Sequence, residues 1–348
     1  MKRRSGMTLI EVLVAIFIMA VGLLALLTLF PLGMLRMAQA IRDDRCSQAA
    51  INAHALSIMN DVRNDLVVVK AINDPYNKNA TTDDLFVNPS KLHPVTGLPY
   101  PAAGTLPDAD PYGESYPILV DHIGYLNSPP LSVAQDWVGG VRGILRRRPV
   151  SFAPPPLDVY KNFTLWDDMS FDSINIPGTP EKVGAAVMRD TRYSWAYLLR
   201  RPQRSNKSIV DCTVIVFDQR SLSLSQSLQL EEYVYTGNTI SGTPYAFFNP
   251  SNSTITLDST GYVPPPIRPG DWILDTTFYT TKPGTGSANA FFYRVVAMDD
   301  LGTGQFRFEV QQPIRGWPAK MAPGGYAGTA IVIPGVAEVF EKGPARVP

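Results

Sequence analysis

Arg4-Ser5-Gly6-Met7-Thr8-Leu9-Ile10-Glu11-Val12-Leu13-Val14-Ala15 opens a segment that stays apolar to Leu35 and closes on Arg36. Lys2, Arg3 and Arg4 precede it, and its one acid, Glu11, lies near its start. The 24 residues from Val12 to Leu35 carry no charge. As a helix they extend roughly 36 Å, enough to cross a hydrocarbon core of about 30 Å. The fold follows from this stretch, because a segment of that length must be covered by lipid or by other helices.

A basic start before apolar residues also describes a secretory leader, whose apolar core is shorter, about 7–15 residues, and ends at a small-residue cleavage site. Ala38-Gln39-Ala40 fits that cleavage pattern, so a cut before Ile41 is the competing reading. Glu11 argues against it. A carboxylate within an apolar span costs about 2.5–3.5 kcal/mol on insertion scales, so such an acid usually has a function and a partner. If the chain were cut between Gly6 and Met7, the new ammonium terminus would lie close to Glu11, on the same helix or a neighbouring one.

Gly6-Met7-Thr8-Leu9-Ile10-Glu11-Val12-Leu13-Val14-Ala15 resembles the processing site of type IV pilins and of the pseudopilins of type II secretion. The resemblance covers about 30 residues and joins leader charge, glycine, acid and span length at fixed spacing. It implies that Gly6 is the last leader residue, that prepilin peptidase cuts after it and N-methylates Met7, and that Glu11 docks the subunit into a growing filament. Met7 departs from the phenylalanine usual at that position. The wording Ile10 to Ala15 is most similar to minor pilins of the PilV type and small pseudopilins. The implied fold is α+β: a long N-terminal helix, with a membrane half and an amphipathic half, carrying an antiparallel β-sheet head. The implied partners are the peptidase, other pilin or pseudopilin subunits in a homo- or hetero-oligomeric filament, and inner-membrane lipid.

Lys2, Arg3 and Arg4 outweigh the charge after the span, where Asp43 and Asp44 partly balance Arg36, Arg42 and Arg45. The positive-inside bias therefore predicts a cytoplasmic amino terminus and a periplasmic head. Gly22 and Pro31 interrupt the span. A proline removes one helical donor and crowds the preceding turn, which predicts a kink or loosening near residues 27–31.

Beyond the span, Ala49, Ala53, Leu56, Met59, Val62, Leu66 and Val69 recur at spacings of three or four and predict an amphipathic stem. The whole helix is expected from Thr8 to Lys70, stopping by Asn73-Asp74-Pro75. The predicted organisation is a leader over 1–6, a membrane and filament-core helix over 7–36, a stem over 37–72, an irregular proline-rich insertion over 73–188 and a β head over 189–348. Within the insertion only Tyr116–Tyr125 and Ser132–Gly139 suggest short elements. In the head, Tyr193–Arg200 and Ile209–Phe217 read as a hairpin. Further strands are expected at Leu228–Thr236, Asp271–Thr277, Ala290–Met298, Gln305–Gln311, Ala330–Ile333 and Val336–Phe340. Asp299 to Gly304 reads as a hairpin connection. This β material exceeds one small sheet, so an added β subdomain is expected over about 220–340.

Among 348 residues, Lys plus Arg and Asp plus Glu stand at 31 each, a balance that gives no global attraction to nucleic acid. Arg146-Arg147-Arg148, with Arg142 nearby, is the only basic run beyond the leader and reads as a solvated loop; no nucleic-acid partner is expected. His54, His93 and His122 are scattered, and Asp121-His122 adjacency does not make a catalytic dyad. No Gly-x-Ser-x-Gly, phosphate loop or His-Glu-x-x-His occurs, so no enzyme and no cofactor is expected. Asp83-Asp84, Asp108-Ala109-Asp110 and Asp299-Asp300 lack the spacing of a calcium loop, and no metal is assigned. Cys46 and Cys212 read as two buried thiols, with a disulfide as the alternative in an oxidising compartment. The alternative function keeps the same anchor but makes the head an adhesin or ligand-binding module, motivated by Tyr245-Ala246-Phe247-Phe248 as an exposed aromatic cluster.

Overall fold

The computed structural model describes residues 9–65, 117–121, 144–147, 162–165, 169–171, 187–189, 192–200, 209–220, 232–235, 245–260, 264, 266–282, 285–315 and 325–346. The chain divides into two compact units, one up to Gln48 and one from Ala49 onward. The expectations for Ser132–Gly139, His93, His122, Arg142, Arg148, the aspartates at 83, 84, 108 and 110, and the stem beyond Asp65 fall outside the described residues.

One α-helix spans Leu9–Met59, running unbroken through Gly22 and Pro31. It stops well short of the expected Lys70, and the reason is local. Asp61 adopts φ 48°, the Val62 amide donates to Ser57 O at 3.0 Å, and the Asp61 amide donates to Ile58 O at 3.1 Å. This pair of bonds is a Schellman cap, in which a left-handed residue just past the helix satisfies orphaned carbonyls. Glycine is usual there, but aspartate tolerates the left-handed region through local hydrogen bonding. Its carboxylate accepts from Asn64 Nδ2 at 2.6 Å. Val62, the residue after the turn, is fully buried and fixes the exit of the chain.

The expected apolar face of the stem shifts slightly. Ala49, Ala50, Ala53 and Ser57 are buried, Leu56 is half-buried, and Met59 is exposed. Small residues dominate this face, so the helix backbone can approach what it packs on.

The head supplies that surface. Its five-stranded sheet has the order Val336–Arg346, Ile209–Asp218, Tyr193–Arg200, Ile118–Val120, Leu145–Arg147. All pairs are antiparallel except Ile118–Val120 with Leu145–Arg147. The hairpin pairs Trp195 with Val216 and Tyr197 with Val214. Sequence alternation at Tyr193–Arg200 suggests a one-sided strand, yet Tyr193 to Leu199 are all buried. The sheet is covered on both faces. Tyr197, bonded by Trp195, meets the stem helix, where its hydroxyl donates to Ala53 O at 2.8 Å. The intervening Ala196 and Leu198, with Ile215 and Phe217, join Trp272, Leu274, Phe292 and Ile331 of a second sheet in one apolar cluster.

The second sheet has eight strands in the order Tyr326–Gly328, Tyr245–Asn249, Thr254–Asp258, Gln305–Val310, Phe291–Gly302, Trp272–Asp275, Ala330–Val332, Tyr233–Tyr235. The expected strands near 228–236, 271–277, 290–298, 305–311, 330–333 and 336–340 are all present with shifted ends. Gly302 pairs with Gln305 across Thr303 and Gly304, whose φ values of 57° and 86° make a tight turn that matches strand twist. The final strand returns from the second sheet to the edge of the first, which ties the enlarged β region to the shared core. Two small hairpins, Met169–Phe171 with Val187–Arg189 and Phe278–Lys282 with Thr285–Ala288, complete the described β structure.

Candidate membrane and assembly segment

Glu11 lies in the first turn of the described helix, where the partial positive charge of the helix terminus favours an acid. Gly6, Met7, Lys2, Arg3 and Arg4 lie outside the described residues. Pro31 withholds the amide that would bond the Leu27 carbonyl, yet the helical run continues through it. Among the described residues a Cβ added at Gly22 or Gly33 would meet nothing within 4 Å, so their packing does not require glycine at either position.

Twenty large apolar side chains between Leu9 and Met37 are exposed, among them Leu9 at 82 % and Phe30 at 72 %. Fully burying each such side chain is worth about 1.5–3 kcal/mol, so the uncovered segment forgoes tens of kcal/mol, well above the roughly 5–15 kcal/mol that holds a domain folded. The helix is long and apolar enough to cross a membrane. An apolar surrounding is therefore a physical requirement for this segment.

Residues 1–27 match the family model for the prokaryotic N-terminal methylation motif. The chain carries the type IV pilin and pseudopilin signal. No curated protein and no solved structure matches the chain. The pilin signal implies processing by prepilin peptidase and assembly with other pilin subunits, and the proteins that bear it are structural subunits. Together with the long apolar helix, it fits a membrane-anchored, single-pass protein.

The head grips the last turns of the helix through a polar relay inside an apolar contact. Trp195 Nε1 donates to the Tyr197 hydroxyl at 3.1 Å, and that hydroxyl donates to Ala53 O. Burial pushes the Tyr197 phenol upward, which keeps it a donor throughout the physiological range. Phe163 packs on Tyr197 with ring centroids 6.0 Å apart. Sequence reasoning expected this half of the helix to pack on the head but missed the residues of the grip. The available signal was the run of small residues at 49, 50, 53 and 57 on an otherwise large-residue helix.

Other candidate residues have structural work. Asp121 is fully buried and paired with Arg220 at 3.1 Å, while Arg220 stacks over Phe217 at 4.2 Å. Arg146 and Arg147 belong to the strand Leu145–Arg147 and not to a loop, because that segment pairs with Ile118–Val120. Asp300 caps its own turn by accepting from the Gly302 amide at 2.8 Å. Among the described residues, no three His, Cys, Asp or Glu side chains converge as a metal site. Cys46 and Cys212 are both buried as thiols, and burial pushes Cys212 up to about 11. The cluster Tyr245 to Phe248 is not an exposed aromatic patch: Ala246 and Phe248 are fully buried, and Phe248 stacks on Tyr326 at 5.2 Å. Alternation in the strand Tyr245–Asn249 sends every second side chain inward.

The most polar buried group of the second sheet is Asp275. It accepts from the Thr277 amide and hydroxyl at 2.9 and 2.5 Å, from Asn289 Nδ2 at 2.9 Å and from the Tyr326 hydroxyl at 3.2 Å. Burial pushes its carboxyl above the ordinary range, against the pull of these four donors. Every donor comes from the same sheet region, so the cluster is a fastening for strand ends.

Proposed function

We propose that this chain is a minor pilin or pseudopilin subunit. Prepilin peptidase cuts it between Gly6 and Met7 and N-methylates Met7. The subunit waits in the inner membrane with its amino terminus in the cytoplasm and its head in the periplasm. It then joins a type IV pilus or a type II secretion pseudopilus through helix packing. Glu11 pairs with a terminal ammonium during docking, which offsets the desolvation of the acid.

The observation that carries this reading is the coincidence of the methylation motif over residues 1–27 with an apolar helix whose large side chains are exposed among the described residues. Lipid first and neighbouring helices later supply the cover. Gly22 and Pro31 serve this two-stage use, since a locally loosened helix adapts to a change of surroundings.

Mass spectrometry of the mature protein tests the reading. The expected product begins at N-methylated Met7. A product beginning at Met1 or at Ile41 would refute it, the latter in favour of ordinary leader cleavage.

A further inference from the structure

The hairpin of Tyr245–Asn249 with Thr254–Asp258 turns through Pro250, Ser251, Asn252 and Ser253. Asn252-Ser253-Thr254 fits Asn-x-Ser/Thr with x other than proline, the acceptor pattern for glycan transfer to an asparagine amide. Asn79-Ala80-Thr81, Asn162-Phe163-Thr164 and Asn206-Lys207-Ser208 fit it too, the first and last outside the described residues. A three-residue pattern recurs by chance, so its surroundings decide.

The fold separates the two described stretches. Phe163 and Thr164 are fully buried, and Thr164 bridges Ser194 of the strand Tyr193–Arg200. That hydroxyl is out of an enzyme's reach. Asn252, by contrast, is exposed at its turn, with exposed Ser251 beside it. The Thr254 hydroxyl donates to Asn252 Oδ1 at 2.6 Å, which holds the acceptor amide next to the hydroxyl that completes the pattern. Oδ1 is thereby engaged, and among the described residues nothing bonds Nδ2.

We propose that Asn252 is a glycosylation site, modified on the folded head by an oligosaccharyltransferase that uses a polyprenyl diphosphate-linked glycan. Nδ2 attacks the anomeric carbon, whose bond to the diphosphate oxygen breaks as the C–N bond forms. Nδ2 gives up one proton, and polyprenyl diphosphate leaves. A glycan there adds polar bulk at a hairpin tip and displaces no packed side chain. The lipid-linked donor is displayed at the outer face of the inner membrane, so the setting rests on the periplasmic head proposed above.

Mass spectrometry of the full chain isolated from its own cells, with fragmentation by electron transfer, tests the site. The peptide carrying Asn252 should show added glycan mass on that residue, and the peptide carrying Asn162 none. Thr254→Val should abolish the addition, whereas Thr254→Ser keeps the hydroxyl and the glycan. Asn252→Gln should abolish it with no fall in the melting temperature of the folded chain, which sets loss of the acceptor apart from misfolding. A bare Asn252, an addition that survives Thr254→Val, glycan carried on Ser251 or Ser253 instead, or equal modification of Asn162 overturns the proposal. The same spectra read the mature terminus. N-methylated Met7 with a bare Asn252 refutes the glycan site alone, whereas a start at Met1 or Ile41 refutes the subunit reading whatever Asn252 carries.

Discussion

Tyr197→Phe isolates the bond that fastens the stem to the head, because it keeps the ring and deletes one oxygen. Two interactions go with that oxygen: donation to Ala53 O at 2.8 Å and acceptance from Trp195 Nε1 at 3.1 Å. Ala53 O keeps the helical amide of Ser57, so its loss is the net worth of one hydrogen bond, about 0.5–1.5 kcal/mol. Trp195 is fully buried, and its N–H becomes a buried donor without an acceptor, which costs about 1–3 kcal/mol more. The sum is about 1.5–4.5 kcal/mol. For a head of this size each kcal/mol moves the melting temperature by about 2 °C, so a drop of about 3–9 °C is expected. Differential scanning fluorimetry of the full chain in detergent reads it directly. The single changes Tyr197→Phe and Trp195→Phe should also be strongly non-additive, since removing both partners leaves no stranded donor. A drop smaller than about 1 °C, or additive losses in the double variant, would refute the relay as the fastening.

Glu11→Ala should leave cleavage before Met7 intact but lower incorporation into fibres, measured by comparing sheared-filament and membrane fractions; unchanged incorporation removes the docking role. Asp61→Gly should raise stability by about 0.5 kcal/mol despite losing the bond from Asn64, because glycine adopts φ 48° without steric penalty. A fall in urea midpoint would show that the aspartate side chain matters more than its backbone strain. Gly328→Ala places a Cβ against the Thr277 hydroxyl and 2.8 Å from the Phe248 ring. It should destabilise the second sheet by about 1–3 kcal/mol in chemical denaturation, with the larger loss if Thr277 also releases Asp275.

Much of this architecture is legible in the sequence because its signals are local. The apolar run from Val12 to Leu35 states its own requirement for cover, and the spacing of Gly6, Met7 and Glu11 lies within two helical turns. The eight expected strands of the head appear because β-branched and aromatic residues crowd those segments between turn formers. The strands Tyr245–Asn249 and Thr254–Asp258 escaped notice because the aromatics of the first look like a surface cluster until its partners are known. The end of the stem was missed for another reason: apolar spacing continues past Asn60-Asp61, and only the backbone turn at Asp61 shows that Val62 is buried outside the helix.

The sequence alone determined that residues 9–35 form a helix in need of apolar cover and that a processing signal precedes it, since length, charge and fixed spacing act over neighbouring residues. The tertiary structure decided what grips the other end of that helix. Tyr197 meets Ala53, and Arg63 meets Gly343, only when the sheet forms, over separations of 144 and 280 residues. Such contacts depend on which face of each strand turns inward, and that is set by both layers packed on the sheet. A strand covered on two sides has no polar face in its sequence to tell which side meets the helix.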